Sequence, residues 1–289
     1  MRRILLRVWL GSALLFLFVE QAPGPEAATT ILWQTTFNCA EWTQSMGLSE
    51  AIVCLPADGL AGWGAWTTPG HPKGSEITLA ANYPGGAGGR GFRLWRGDGF
   101  DVNSGAIAVI LPAATSELWI RFYLRYEAGF SWNPAGSPGF TKETYFLGNS
   151  ARDFTFGFVS SDRMWIWVNN GSTDYASVGW NTIMGGTRSD GQFHCYEYHV
   201  KRGTTTSNGV KEIWVDGVQR LSTATADLGT TGSWREFALG ENANQPANGR
   251  DMFVDYDDVA VSTTGRIGCL GAPGPPPAPA APTNLRIVR

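Results

Sequence analysis

The stretch ELWIRFYLRY, residues 117 to 126, alternates apolar side chains with aromatic and cationic ones. Side chains of a β-strand point to opposite faces in turn, so residues of equal parity share a face. The even positions predict a core face, and the odd positions are Trp119, Arg121, Tyr123 and Arg125. Aromatic rings stack on the C–H patches of sugars, and guanidinium groups donate hydrogen bonds to carboxylates and hydroxyls. The odd positions therefore predict a polysaccharide-binding face.

Three further strand-like runs, RMWIWVNNG, HCYEYHVK and EIWV, carry a second face of the same kind, and the segment 129 to 148 adds a lysine and a tyrosine. We expect these runs to extend the binding face. An alternative is that this face is the back of a sandwich, where loops cover the aromatics and the arginines are ion-paired. The further predicted binding residues are Lys142, Tyr145, Trp165, Trp167, Glu197, Lys201 and Trp214.

Catalysis by β-elimination is a second hypothesis. A lyase acting on a uronic acid polymer must neutralise the carboxylate, remove a ring proton and protonate the leaving oxygen. Arg121 or Arg125 could serve the first step, His199 the second, and Tyr123 or Tyr145 the third. The RxELR and QIH motifs of alginate-lyase-type jelly rolls are absent, as is the ExDxxE pattern of jelly-roll glucanases. A glycoside hydrolase, which needs two facing carboxylates, is therefore less favoured than a lyase.

The two other histidines are weaker catalytic candidates. His194 falls on the predicted inward face of its strand and is expected to be structural, and His71 lies in no strand-like run. His199 stands on the opposite face and is the best candidate for a general base.

The first residues are typical of an export signal. A basic start is followed by a continuous apolar run, residues 8 to 19, that is too short to span a bilayer comfortably. Residues 1 to 28 are therefore predicted to be a signal peptide, and no later segment is apolar enough to cross a membrane. We expect a secreted, extracellular or periplasmic protein.

The charge balance argues against nucleic acid as a partner. Removing residues 1 to 28, which hold three Arg and two Glu, leaves 19 basic and 23 acidic residues. A nucleic-acid binder would need a basic excess. An extracellular polysaccharide is the expected partner.

Four cysteines occur, Cys39, Cys54, Cys195 and Cys269. In an exported chain they predict two disulfides, for which three pairings are possible. The favoured pairing joins Cys39 to Cys54 and Cys195 to Cys269. A zinc site is disfavoured because no CxxC spacing is present.

The composition and the spacing of strand-like runs predict an all-β, two-sheet antiparallel sandwich over residues 29 to 270. The chain has 37 Gly and 13 Trp, no amphipathic helical pattern, and turn residues between short apolar runs. Asp216-Gly217 is the signature of a two-residue type I′ hairpin. Residues 271 to 289 are a proline-rich linker or tail, or the start of a further module.

A family resemblance rests on DGQFHCYEYHVKRGTTTSNGVKEIWVDGVQRL, residues 190 to 221, followed by FVDYDDVAVS, residues 253 to 262. These segments resemble the second half of a concanavalin A-like lectin/glucanase jelly roll, the fold of laminin G-like domains and heparin-lyase-I-like polysaccharide lyases. The resemblance implies a jelly roll, but this fold hosts lectins, hydrolases, lyases and adhesion modules.

The same resemblance implies a structural Ca²⁺ near the last strand, with Asp257 as a ligand, and no organic cofactor. Asp255 and Asp258 flank that position. A hydrogen-bonded carboxylate without a metal is the alternative. The leading hypothesis is a secreted polysaccharide-binding protein, with a polysaccharide lyase second and an adhesion or structural module of a surface protein third.

Overall fold

The computed structural model gives two antiparallel β-sheets. It describes residues 29–38, 63–65, 75–97, 107–130, 140–149, 153–158, 163–169, 173–179, 190–240, 243–244 and 251–271. All of them belong to one compact unit, Ala28–Ala272. The predicted signal peptide, most of the proline-rich tail, Cys39, Cys54 and His71 lie outside the described residues.

The described residues form sixteen strands and one turn of 3-10 helix, Leu79–Ala81. The strands are β1 (Ile31–Thr35), β2 (Trp63–Ala65), β3 (Ser75–Thr78), β4 (Gly91–Gly97), β5 (Ile107–Thr115), β6 (Glu117–Tyr126), β7 (Phe140–Asn149), β8 (Asp153–Phe158), β9 (Arg163–Asn169), β10 (Thr173–Gly179), β11 (His194–Lys201), β12 (Gly209–Val215), β13 (Val218–Ala226), β14 (Ser233–Leu239), β15 (Ala243–Asn244) and β16 (Asp251–Ser262).

The first sheet has the order β13-β12-β11-β6-β16-β4-β3, with β1 also paired to β16. The second has the order β10-β9-β8-β7-β14-β5-β2, with β15 paired to β7. Strands β7 to β10 and β11 to β13 pair in chain order as meanders, and the chain crosses between the sheets elsewhere, for example from β5 to β6 and from β6 to β7. The predicted all-β, antiparallel jelly-roll sandwich is confirmed.

The core lies between the sheets and follows the predicted alternation. All five even-numbered residues of β6, from Leu118 to Tyr126, are buried in one apolar cluster. Tyr196, Tyr198 and Val200 of β11 join it from the neighbouring strand. Removing these side chains from water is the main force that holds the sheets together.

The predicted hairpin is confirmed. Asp216 and Gly217 join β12 to β13 with φ angles of 52° and 79°, the positive pair that a type I′ turn requires. The sequence does not predict the strands β2, β3, β10 and β15. Strands β2, β3 and β15 have three, four and two residues, which are too few for an alternating pattern to be recognised, whereas β10 does alternate and was missed.

The disulfide between Cys195 and Cys269 is present, with Cα atoms 5.9 Å apart and the two cysteines 74 positions apart in sequence. This confirms half of the favoured pairing. Within the described ranges, no helix is both long and apolar enough to cross a membrane.

Candidate functional site

Three of the four predicted binding strands are neighbours on the outer face of the first sheet. In β6 and β11, His199 is opposite Trp119, Glu197 is opposite Arg121, and Cys195 is opposite Tyr123. On the other side of β11, Trp214 of β12 is opposite Glu197. The expectation that these strands share a face is therefore correct for the first sheet.

Residues 263 to 271, here called the covering segment, lie on this face. The backbone N–H of Leu270 donates to the Tyr123 hydroxyl at 2.6 Å, and Arg121 Nη1 donates to the carbonyl of Gly268 at 3.4 Å. The Cys195–Cys269 disulfide fixes the segment to β11. Tyr123 is consequently only 2% exposed.

Glu197 is the carboxylate that holds the covering segment. It is 1% exposed and accepts hydrogen bonds from the backbone N–H of Ile267 at 2.6 Å and from Arg266 Nε at 2.9 Å. The Arg266 guanidinium also lies 4.8 Å from the centroid of the Trp214 ring. These contacts use the binding groups that the sequence predicted for a glycan.

The loop of residues 79 to 90 covers the other part of the face. The Tyr83 ring stacks on Tyr123 with a centroid distance of 3.7 Å. Arg125 Nε donates to Asp255 Oδ2 at 2.9 Å, and Arg93 Nε donates to Asp255 Oδ1 at 2.7 Å. Burial, reinforced by Tyr83, raises the pKa of Tyr123, which disfavours its ionised form.

The predicted catalytic set is not assembled at one open site. His199 is 6% exposed, stacks on Trp119 at 3.9 Å, and has Nδ1 2.6 Å from Glu212 and Nε2 3.1 Å from Glu117. Tyr123 lies opposite Cys195, four residues from His199 along β11, a distance of about 13 Å at the strand rise. Lys201, one of the predicted binding residues, pairs with Glu117 at 2.9 Å.

His194 is partly exposed rather than part of the apolar core. Its Nδ1 is 2.7 Å from Asp216 and its Nε2 is 3.1 Å from Asp190. Burial disfavours its charge, but the hydrogen bonds to the two carboxylates prevail and raise its pKa. The residue ties the β12–β13 turn to the start of β11, which fits the expected structural role.

The remaining predicted residues lie on the second sheet, so the expected single face is divided between two sheets. Tyr145 of β7 is opposite Thr155 of β8, which is opposite Trp167 of β9, which is opposite Tyr175 of β10. Residues directly opposite in antiparallel strands share a face. These four positions therefore form one row across four strands.

A second row runs parallel to the first. Lys142 is opposite Gly157, which is opposite Trp165, which is opposite Ser177. Trp165 and Trp167 are two residues apart in one strand. Since positions two apart lie on the same face of a strand, the two rows share a face.

This shared face is the outer one. Tyr145 is opposite Ala238 of β14, whose neighbours Phe237 and Leu239 belong to the core cluster. The rows thus occupy the face opposite to the core. Sequence reasoning missed Thr155 and Tyr175, although the alternation of Tyr175 and Ser177 with Ala176 and Val178 is a signal for them.

Oxygen atoms gather where the loop of residues 79 to 90 meets β16. Asp257 accepts from the backbone N–H of Tyr83 at 2.7 Å, while Asp258 Oδ2 and Asn82 Oδ1 are buried without a hydrogen-bond partner among the described residues. Gly86 is so close that a Cβ there would lie 1.6 Å from Asp258 Oδ2. Burial, together with Asp258, raises the pKa of Asp257 to about 8.

These oxygens suit a hard cation in type, since Ca²⁺ takes carboxylate and carbonyl oxygens. Their number is small for calcium, which takes six to eight ligands. Among the described residues no group of three or more His, Cys, Asp or Glu side chains could hold a metal ion. A cation here would need further oxygens from the backbone or from water.

No protein-family model matches the sequence, and no curated protein matches it. Solved structures with a similar fold include an alginate lyase mutant in complex with alginate trisaccharide, with a TM-score of 0.56 and 13% identity over 81% of this chain and 99% of that one. At this identity the likeness shows the fold alone.

Two structures match less well. One is described in connection with the dependence of botulinum neurotoxin type C cell entry on two ganglioside molecules, and the other is a cellulose-induced protein. The first has a TM-score of 0.48 and 14% identity over 71% of this chain and 44% of that one. The second has a TM-score of 0.47 and 16% identity over 68% and 87%.

Proposed function

We propose that this protein binds an extracellular polysaccharide on the outer face of the second sheet. The observation that supports this most is the register, which brings Lys142, Tyr145, Trp165 and Trp167 into two adjacent rows on that face. The corresponding groups of the first sheet are covered and bonded within the protein. Glycan binding by those first-sheet residues stays an untested prediction.

The dimensions of the rows suit a polymer that crosses the strands. Neighbouring strands are about 4.8 Å apart, so Tyr145 on β7 and Trp167 on β9 are about 10 Å apart. Aromatic positions at this spacing can stack on separate sugar rings of one chain. Lys142 in the next row adds a cation for hydroxyls or for the carboxylate of a uronic acid.

A polysaccharide lyase is the second candidate. Lys142 would neutralise the sugar carboxylate with its ammonium group, while Tyr145 as phenolate would remove the ring proton and the resulting phenol would donate that proton to the leaving oxygen. This pair takes over the roles first considered for Arg121, Tyr123 and His199. The fold likeness to an alginate lyase is compatible with it.

The calcium site and secretion remain proposals. If calcium binds, Asp258, Asn82 and Asp257 would hold it and the ion would neutralise their accumulated charge. Calcium should then raise the unfolding temperature, and Gly86→Ala, which fills the space beside Asp258, should remove that increase. An unfolding temperature that does not respond to calcium in the unmodified protein would refute the site.

The test of the proposed function is binding to a panel of uronic-acid polymers and neutral glucans by calorimetry and affinity electrophoresis. The double variant Trp165→Ala/Trp167→Ala should weaken binding by about 2 kcal/mol in total, at about 1 kcal/mol for each lost stacking contact. Trp119→Ala is the matched control on the first sheet and should leave affinity unchanged. The reverse pattern would place the site on the first sheet.

Activity separates the two candidates. Ultraviolet absorbance of an unsaturated sugar product, appearing with the polymer that binds, would support the lyase, and Tyr145→Phe should then abolish it. Binding without product would leave a lectin-like module. Neither binding nor product with any polymer would favour the adhesion hypothesis.

A further inference from the structure

Strand β7 contains a bulge between its two candidate binding residues. Lys142 is opposite Gly157 and Thr144 is opposite Phe156, so β7 has one more residue than β8 in this interval. In a regular strand, positions 142 and 145 would point to opposite faces, because they are an odd number of residues apart. Because of the extra residue, positions 142 and 145 lie on the same face of the sheet, in the rows of Trp165 and Trp167 respectively.

Glu143 is the residue at the centre of this bulge, and it is fully buried between the sheets at 0% exposure. Its Oε1 accepts a hydrogen bond from the Tyr126 hydroxyl at 2.7 Å, and its Oε2 accepts one from Tyr198. Its backbone carbonyl accepts from the Tyr256 hydroxyl at 3.1 Å and from the Gly240 N–H at 2.8 Å.

The three tyrosines come from β6, β11 and β16, which are all strands of the first sheet. Both the side chain and the backbone of the bulge residue are thereby bonded across the core to the opposite sheet. A buried polar network of this kind specifies one arrangement, because any other register would leave its groups unpaired. The bulge is held from behind the proposed binding face.

Among the described residues, the groups that interact electrostatically with Glu143 from the packed strands include Tyr126, Tyr196 and Tyr198, and the Tyr256 hydroxyl bonds its backbone. Lys211 of β12 is also buried on this side of the first sheet, opposite Val200. Burial raises the pKa of Glu143 to about 8, although the hydrogen bonds from Tyr198 and Tyr126 act in the opposite direction. The carboxyl is therefore neutral in the fold at neutral pH. Ionisation above that pH places a negative charge in the core between the sheets, where desolvation is costly.

We infer that Glu143, held by Tyr126, Tyr198 and Tyr256, is a positioning residue that fixes the β7 bulge and so keeps Lys142 and Tyr145 on the glycan-binding face. The expected effect of Glu143 on glycan affinity rests on the proposed function. The geometric part, that Glu143 sets the register of β7 against β8, is independent of any ligand.

The experiment compares Glu143→Gln and Glu143→Leu with Thr144→Val in the full chain. Thr144 is the matched control because it is the next residue, equally buried, and its Oγ1 has no hydrogen-bond partner among the described residues. Two readouts are used: hydrogen exchange of the β7 and β8 amides without ligand, and affinity for the polymer of the panel that binds best. Affinity is measured at about pH 6.5 and about pH 9, below and above the pKa of Glu143.

Glu143→Leu should increase exchange selectively in β7 and β8 and weaken binding at least about tenfold, while Thr144→Val changes neither. The unmodified protein should bind less tightly at the higher pH. Glu143→Gln cannot ionise and should keep its affinity at both values. This pH readout also carries the test if Glu143→Leu does not fold.

Unchanged β7 and β8 exchange in Glu143→Leu, or an increase spread evenly over both sheets, would overturn the inference. The same holds if Glu143→Gln loses affinity at the higher pH as the unmodified protein does. If no polymer binds the unmodified protein, the proposed function fails. The exchange measurement then still decides whether Glu143 fixes the bulge.

Discussion

The outer faces of the two sheets carry similar residues, but on the first sheet these residues are bonded to other parts of the protein. On the first sheet, Tyr123 is bonded to Leu270 and stacked on Tyr83, and Glu197 accepts from the backbone of the covering segment. On the second sheet, the register assembles Tyr145, Trp167 and Tyr175 into one row. An aromatic and charged strand face can therefore be bonded within the protein, so these residue types alone do not identify a binding surface.

The charged residues on the outer face of the first sheet are paired with one another across the strands. Arg125, Asp255, Arg93 and Glu76 follow one another across four strands with alternating charge. Buried charges must be compensated by partners because desolvation is costly. A binding face would instead leave donors available for its ligand.

The largest effect should come from removing the link between the covering segment and β11. Cys195→Ser/Cys269→Ser should lower the free energy of unfolding by about 4 kcal/mol, because the disulfide closes a loop of 74 residues. Denaturant unfolding measures this loss. Glycan affinity of the folded fraction should not change, and a parallel loss of affinity would contradict the assignment of the site to the second sheet.

Glu197→Ala should have the next largest effect. The substitution leaves the N–H groups of Ile267 and Gly268 and the guanidinium of Arg266 without their acceptor, at a cost of about 3 kcal/mol. Thermal unfolding measures the destabilisation, and proteolysis should cut the covering segment first. Stability equal to that of the unmodified protein, with weaker glycan binding, would make Glu197 a ligand-binding residue.

A pair of tyrosine substitutions sharpens the comparison at a smaller scale. Tyr175→Ala should weaken glycan binding about fivefold, equivalent to about 1 kcal/mol, with little change in stability. Tyr83→Ala should cost about 1 kcal/mol of stability through its lost stacking on Tyr123 and leave affinity unchanged. Calorimetric titration and thermal unfolding of both variants distinguish these outcomes.

The smallest effect concerns His194. Its pKa is raised in the fold, so its contribution to stability is complete below the unfolded pKa of about 6.5 and is lost as pH rises through the folded value. After solvent screening we expect under about 1 kcal/mol. His194→Gln should flatten the decline of stability in this pH window, and an unaltered decline would assign it to other groups, such as Glu143.

Much of the fold could be predicted because local patterns fix it. Strand β6 was predicted at Glu117–Tyr126, and the β12–β13 hairpin at Asp216-Gly217. The candidate site could be predicted from the sequence only in part. Lys142 and Tyr145 are three residues apart, and only a bulge around a buried Glu143 brings them to one face.

By itself, the sequence determined the all-β class, the core face of each main strand and the chemistry available on the other face, because period-two alternation and turn residues are local properties. The tertiary structure alone decided which strands are neighbours, where the bulge falls and that residues of the first sheet's outer face are covered. These depend on contacts between residues far apart in the chain, such as Glu197 with Ile267 and Glu143 with Tyr198. No local pattern encodes such contacts.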